Sequence, residues 1–176
     1  MKPPRRLYRV GACLPRLTNA WDTASRLADK HTIQGSLFVR LSSNGDKIVG
    51  AFCGVPFARE AVWTGETYES YDPSVHDTHP SLRVMLNFYD AYEGRMRVIE
   101  NGKTWFQDVC MARDEYDFGA WLFEIERLGD AGDIKTRYSV TPHDEIHLEL
   151  RGQIANAELH DLAELCASAR SKGGDQ

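Results

Sequence analysis

The sequence predicts a mainly β protein with a few helices, an α+β chain. Three observations carry the prediction. Apolar and polar side chains alternate with a period of two in most segments between residues 36 and 141. Turn residues, among them Asn44-Gly45, Gly65 and Glu93-Gly94, separate those segments. A helical period replaces the alternation in only three short stretches. With 176 residues, 42% of them hydrophobic and 27% charged, the chain matches one domain with appendages.

Residues 1–33 are predicted to be a basic arm and a short helix. Pro3, Pro4 and Pro15 resist regular structure. Trp21, Ala24, Leu27 and Ala28 then recur at helical spacing in NAWDTASRLADKH. SLFVRL, the turn SNGD and KIVGAFCG predict a hairpin, because Asn-Gly between alternating strands favours a tight turn. REAVWTGETYESY reads as another strand that bends at Gly65, and DPSVHDTHP as a loop.

SLRVMLNFYDAYEGRMRVIENG predicts two strands. In the first, Leu82, Val84, Leu86 and Phe88 share one face, and Arg83, Met85, Asn87 and Tyr89 share the other. In the second, Met96 and Val98 oppose Arg95 and Arg97. Trp105, Val109 and Ala112 break the alternation and predict one helix. WLFEIERLGDAGDIKTRYSVTP supplies two more strands, with Trp121, Phe123 and Ile125 on one face of the first, and Lys135 and Arg137 alternating with Thr136 and Tyr138 in the second. Leu159, Leu162, Ala163 and Cys166 in NAELHDLAELCASAR predict one amphipathic C-terminal helix, followed by a frayed SKGGDQ. Strands, one helix, then two strands is the order of a five-stranded OB-type Greek-key barrel. That barrel is predicted within residues 34–150, with 151–176 as the C-terminal helix and tail. The competing architecture is an open antiparallel sheet with helices packed on one face.

No run of about 18 apolar residues exists, which speaks against a membrane-spanning helix. Arg9, Pro15 and Arg16 interrupt the apolar residues near the N-terminus, so no signal peptide and a cytoplasmic location are expected. Cys13, Cys53, Cys110 and Cys166 are spaced singly, as reduced thiols are. Phosphate loops, the GxSxG elbow and HExxH are absent, so no enzymatic activity is expected. Asp72, His76, Asp77 and His79 cluster in one loop, where imidazole and carboxylate are suitable zinc ligands. A metal-dependent hydrolase using Asp72, His76 and His79 is therefore a minor alternative, and a solvated polar loop the plainer one.

A site for a single strand of nucleic acid needs rings for bases beside cations for phosphates. The outward sets supply such a mixture: Trp63, Arg83, Asn87, Tyr89, Tyr92, Arg95, Arg97, Lys135 and Arg137 are the candidate contacts. The opposing explanation is an ordinary half-exposed sheet whose cations are neutralised by neighbours such as Glu124 and Glu126.

The runs GDKIVGAFCGVPFAREAVWTGETYE, HPSLRVMLNFYDAYEGRMRVIENGKTWFQDV and WLFEIERLGDAGDIKTRYSVTP resemble the small single-stranded DNA-binding proteins of bacteriophages and mobile elements. The matching residues are Trp63, Arg83, Asn87, Tyr89, Phe123, Ile125, Arg127, Gly129, Gly132, Thr136, Tyr138, Val140 and Pro142, in that order, within residues 45–142. In that family the loop that is here YDPSVHDTHP often holds Cys or His pairs. The resemblance implies an OB-fold that coats single-stranded DNA with little sequence preference during replication or recombination, without enzymatic activity, and with replication or recombination proteins as possible partners. The alternative is a protein-protein adaptor on the same scaffold, using the acidic C-terminal third.

Overall fold

Alternation along the sequence becomes six antiparallel strands: β1 (Lys47–Trp63), β2 (Tyr68–Ser70), β3 (Ser81–Asp90), β4 (Arg95–Gly102), β5 (Trp121–Leu128) and β6 (Arg137–Glu145). The helices are α1 (Lys103–Glu115), α2 (Leu148–Asn156) and α3 (Leu162–Arg170). The coordinates are a computed structural model that describes residues 37–170. The predicted basic arm, the helix expected in NAWDTASRLADKH and the SKGGDQ end lie outside the described residues.

The strands form one sheet in the order β4-β3-β1-β5-β6, with β2 added to β1. β4 and β6 are its ends and do not pair with each other, so the sheet is open. The chain is thus α+β and mainly β. Helices cover both faces. On one, Ile48, Phe52, Leu86, Phe88, Ile99, Phe123 and Ile125 pack against Trp105, Val109 and Ala112 of α1. On the other, Val49, Ala51, Tyr89, Met96 and Leu122 meet Leu150 and Ile154 of α2, while Met85 and Val98 meet Leu162 and Cys166 of α3. Helix α1 occupies the stretch in which the helical period predicts it, and its three periodic residues are the buried ones.

Three expectations are corrected. First, SLFVRL and KIVGAFCG do not form a hairpin. The intervening turn exists, with Gly45 at φ +82° and Asp46 accepting the Ser42 and Ser43 amides at 2.8 Å each. Those amides, Ser43 first, hold the Asp46 carboxyl below the usual carboxylate range. From there the chain turns to β5, with Gly45 donating to the Arg127 carbonyl and Arg127 to that of Asp46, while Phe38 makes an isolated parallel bridge to Val98.

Second, KIVGAFCG and REAVW are one strand, β1, interrupted by a register shift between Cys53 and Phe57. Gly50 lets β1 pass close to β3, because a Cβ there would lie 2.0 Å from the Tyr89 carbonyl oxygen. Third, the helix predicted in NAELHDLAELCASAR begins only at Leu162, as α3, and a further helix, α2, precedes that stretch. Asn87 clamps the linker between them: its side chain donates to the His160 carbonyl (3.1 Å) and accepts from the His160 amide (2.9 Å). Leu159 consequently leaves the predicted stripe and is 49% exposed.

Candidate nucleic-acid interface

The four residues Thr64 to Thr67 close a turn through a Thr64 amide bond to the Thr67 carbonyl (2.9 Å), with Gly65 at φ +102°. The hairpin register then sets Trp63 opposite Tyr68. Their ring centroids are 5.0 Å apart, and Trp63 remains 57% exposed. On the Tyr68 ring, 4.1 Å from its centroid, lies the guanidinium carbon of Arg83. One solvent-facing indole, one phenol and one guanidinium thus form a ladder.

The cations beneath this ladder are held by a single acid. Arg59 and Arg83 are direct cross-strand neighbours, an arrangement that is unfavourable for like charges. Glu100 of β4 relieves it: one carboxylate oxygen accepts from Arg59 Nη2 at 2.8 Å and lies 3.6 Å from Arg83 Nε. Arg83 Nη2 also donates to the Glu100 carbonyl, and both Arg59 Nη groups donate to that of Tyr68, each at 3.3 Å. Two guanidiniums facing one carboxylate leave a formal surplus of one positive charge. The three side chains are only 12–17% exposed, so their mutual attraction is weakly screened. Lys103, which is exposed, follows Gly102, the residue paired with Arg83.

The other predicted contacts do not join this cluster. Residues Val84 to Asp90 are buried throughout, so the expected polar face of β3 is covered by the C-terminal helices. Asn87 serves as the clamp on His160. Tyr89 is 3% exposed, and its hydroxyl donates to Gln153 (3.4 Å). Arg97 pairs with the buried Asp90 at 3.2 Å and donates to the Phe38 carbonyl, so it ties elements together within the fold. The same Asp90 caps the β3–β4 turn by accepting the Tyr92 and Glu93 amides. Tyr92 projects from that turn, 80% exposed, and Arg95 is paired with Glu93. Lys135 and Arg137 are exposed at the β5–β6 turn. The expectation of one continuous cationic groove is therefore corrected: these residues sit at three separate turns, and most of the β3 and β4 members are internal.

The RLGDAGDIKTRY motif is a loop-building device. Arg127 donates to the carbonyls of Leu41, Gly129 and Asp130, to the Thr136 hydroxyl and to the Tyr138 hydroxyl, at 2.9–3.2 Å. Gly129, at φ +130°, adopts a backbone conformation that other residues rarely take, and a Cβ there would crowd Thr136 Oγ1 at 3.0 Å.

In the 72–79 loop, one ring nitrogen of His76 is 3.1 Å from both the amide nitrogen and the carbonyl oxygen of Asp72. Among the described residues no three His, Cys, Asp or Glu side chains are grouped to hold a metal ion. The structure does not bring Asp72, His76 and His79 together as a ligand set.

Tyr68, Arg59 and Glu100 were not among the candidates from sequence. Tyr68 was findable: a four-residue turn between Trp63 and Tyr68 places them opposite one another. The role of Glu100 was not, because it depends on which strand lies beside β3. Charge is divided along the chain. Residues 37–170 include 13 Lys and Arg against 23 Asp and Glu, a formal charge of -10, whereas residues 1–36 include 7 against 2. Among the described residues no helix is long and apolar enough to cross a membrane. Searches against family models, curated proteins and solved structures found no match.

Proposed function

We propose that this is a non-enzymatic protein that binds single-stranded nucleic acid, with its contact at the end of the β1–β2 hairpin. The observation that carries the reading is the Trp63–Tyr68–Arg83 ladder over the Arg59–Glu100 pair. An exposed indole offers a face for one base, and the surplus positive charge beside it offers a place for a phosphate.

The topology agrees with the reading. Strand order β4-β3-β1-β5-β6, with one helix between β4 and β5, is what a five-stranded OB-type barrel becomes when opened between its third and fifth strands, and OB-folds bind oligonucleotides beside the loop that follows their first strand. The Trp63 hairpin is part of that loop here. The resemblance to phage and mobile-element single-stranded DNA-binding proteins points the same way, and replication or recombination is the context it implies. Because residues 37–170 are acidic overall, attraction for phosphates at this contact comes from the local surplus of this cluster, and residues 1–36 carry further cations. Affinity per nucleotide is accordingly modest and owes much to stacking.

Anisotropy titration of labelled oligo(dT) tests the proposal. Binding is expected to fall by about 5- to 150-fold in Trp63→Ala, the equivalent of ~1–3 kcal/mol of stacking. Equal affinity in wild type and variant, or preference for duplex, overturns it. The adaptor reading is favoured by one observation, the charge of -10 on residues 37–170; retention of a protein partner after nuclease treatment, with no oligonucleotide binding, would select it.

A further inference from the structure

The sheet face that carries the aromatic ladder does not end at Arg83. Along β3, Arg83 is followed on the same side by Met85, Asn87 and Tyr89, so the ladder is one end of a longer strip. The C-terminal helices lie over the rest of it. Leu162 and Cys166 of α3 pack on Met85, the α2–α3 linker is bonded to Asn87, and Leu150 and Ile154 of α2 pack beside Tyr89. The cover begins where the ladder stops: Cys166 Sγ is 3.8 Å from Ser70 Oγ, and Ser70 is on the same side of β2 as Tyr68.

That cover is thinly seated. No side chain of α2 is fully buried, and among the described side chains of α3 the buried ones are Leu162 and Cys166. Two open clefts separate the helices from the sheet. One, of about 370 Å³, lies between Leu150 and Gln153 of α2 and Val49 and Leu122 of the strands. The other, of about 280 Å³, lies between Leu159 of the linker and Phe57 of β1. Close packing is what makes an element resist opening, so these two helices are the part of the fold that opens most readily.

We propose that α2 and α3 form a displaceable strap over a second half of the single-strand contact. They close the strip in the free protein, and a strand too long for the ladder alone lifts them and lies along β3 in their place. The inference rests on the nucleic-acid reading of the ladder. Groups that a base can use stand beneath the strap. The Tyr89 ring offers a stacking face. The Asn87 carboxamide, which now donates to and accepts from the His160 backbone, offers the same donor and acceptor to the edge of a base. A ligand shifts such an equilibrium only by binding the open state better, so strand length is the control.

Ser70→Cys sets a second thiol against Cys166, and oxidised glutathione then links α3 to β2. Affinity is measured for oligo(dT) of about 4 and about 16 nucleotides, the two ends of the range for OB-fold sites, with the link formed and after its reduction. Ser70→Cys with Cys166→Ser, which cannot form the link, is the control. The short strand is expected to bind equally in both states, and the long one about tenfold more weakly when linked, within the range one stacked base contributes. On the unmodified chain, amide hydrogen exchange in residues 148–167 is expected to quicken when the long strand is bound, whereas helices that only complete the core keep or gain protection. Equal affinity of linked and reduced forms for the long strand, or exchange that stays the same or slows, overturns the strap and leaves the ladder standing. A short strand that does not bind overturns the ladder reading and the strap with it.

Discussion

Replacing Glu100 by Gln isolates the cluster beneath the aromatic ladder. The substitution preserves size and one acceptor oxygen, but it removes the negative charge between Arg59 and Arg83, at 2.8 and 3.6 Å respectively. At an effective dielectric of about 20, a charge pair near 4 Å is worth ~4 kcal/mol before desolvation is subtracted. Breaking one partner of a buried pair typically costs ~3–5 kcal/mol. These side chains retain 12–17% exposure, and the Gln carbonyl still accepts one bond, so a loss of about 2 kcal/mol is expected. For a chain of this size that lowers Tm by about 4–8 °C. Thermal denaturation followed by circular dichroism measures it.

Binding moves the other way. The cluster rises from one surplus positive charge to two, so log K for oligo(dT) against log salt steepens by about 0.7 if one further phosphate is engaged. Low-salt affinity rises accordingly. A variant as stable as the wild type, with an unchanged salt slope, would refute the coupling of Arg59, Glu100 and Arg83 into one unit.

Other substitutions test the frame around the cluster. Gly50→Ala forces a Cβ to within 2.0 Å of the Tyr89 carbonyl oxygen; backbone cannot yield that far, and urea denaturation is expected to show a loss of more than ~3 kcal/mol. Asn87→Ala removes both bonds to His160 and should cost about 1–3 kcal/mol, with amide exchange in α3 rising before that in β3. For Asp46 the folded pKa lies below its ordinary value, so its turn adds stability above the unfolded pKa and loses it as pH falls through the folded one. Asp46→Asn should therefore flatten the acid end of a stability profile measured by urea titration between neutral pH and about pH 3. Burial pushes the Cys53 thiol up, and a disulfide reagent at mildly alkaline pH should modify it more slowly than an unfolded control.

Residues 81–128 show how far the sequence reaches. The alternation in SLRVMLNFYD and RMRVIENG, the helical spacing of Trp105, Val109 and Ala112, and the Glu-Gly turn each express a local period, and each is realised as β3, β4, α1 and the turn between β3 and β4. Local preference suffices for such elements because neighbouring side chains sort by face whatever the partner is.

Partners are a different matter. SLFVRL has an adequate strand pattern and an Asn-Gly turn after it, yet β1 pairs with β3 and β5 instead. Period-two alternation identifies two faces of β3 without saying that both will be covered, and α2 and α3 bury the one that reads as polar. The sequence by itself thus determined the strands from residue 81 onward, the helix α1, the turns between them and the candidate ring at Trp63. Only the tertiary structure decided that Arg97, Asn87 and Tyr89 work inside the fold and that Arg83 meets Tyr68 and Glu100, because those contacts join residues far apart in the chain and their energy exists only once strands from different segments lie side by side.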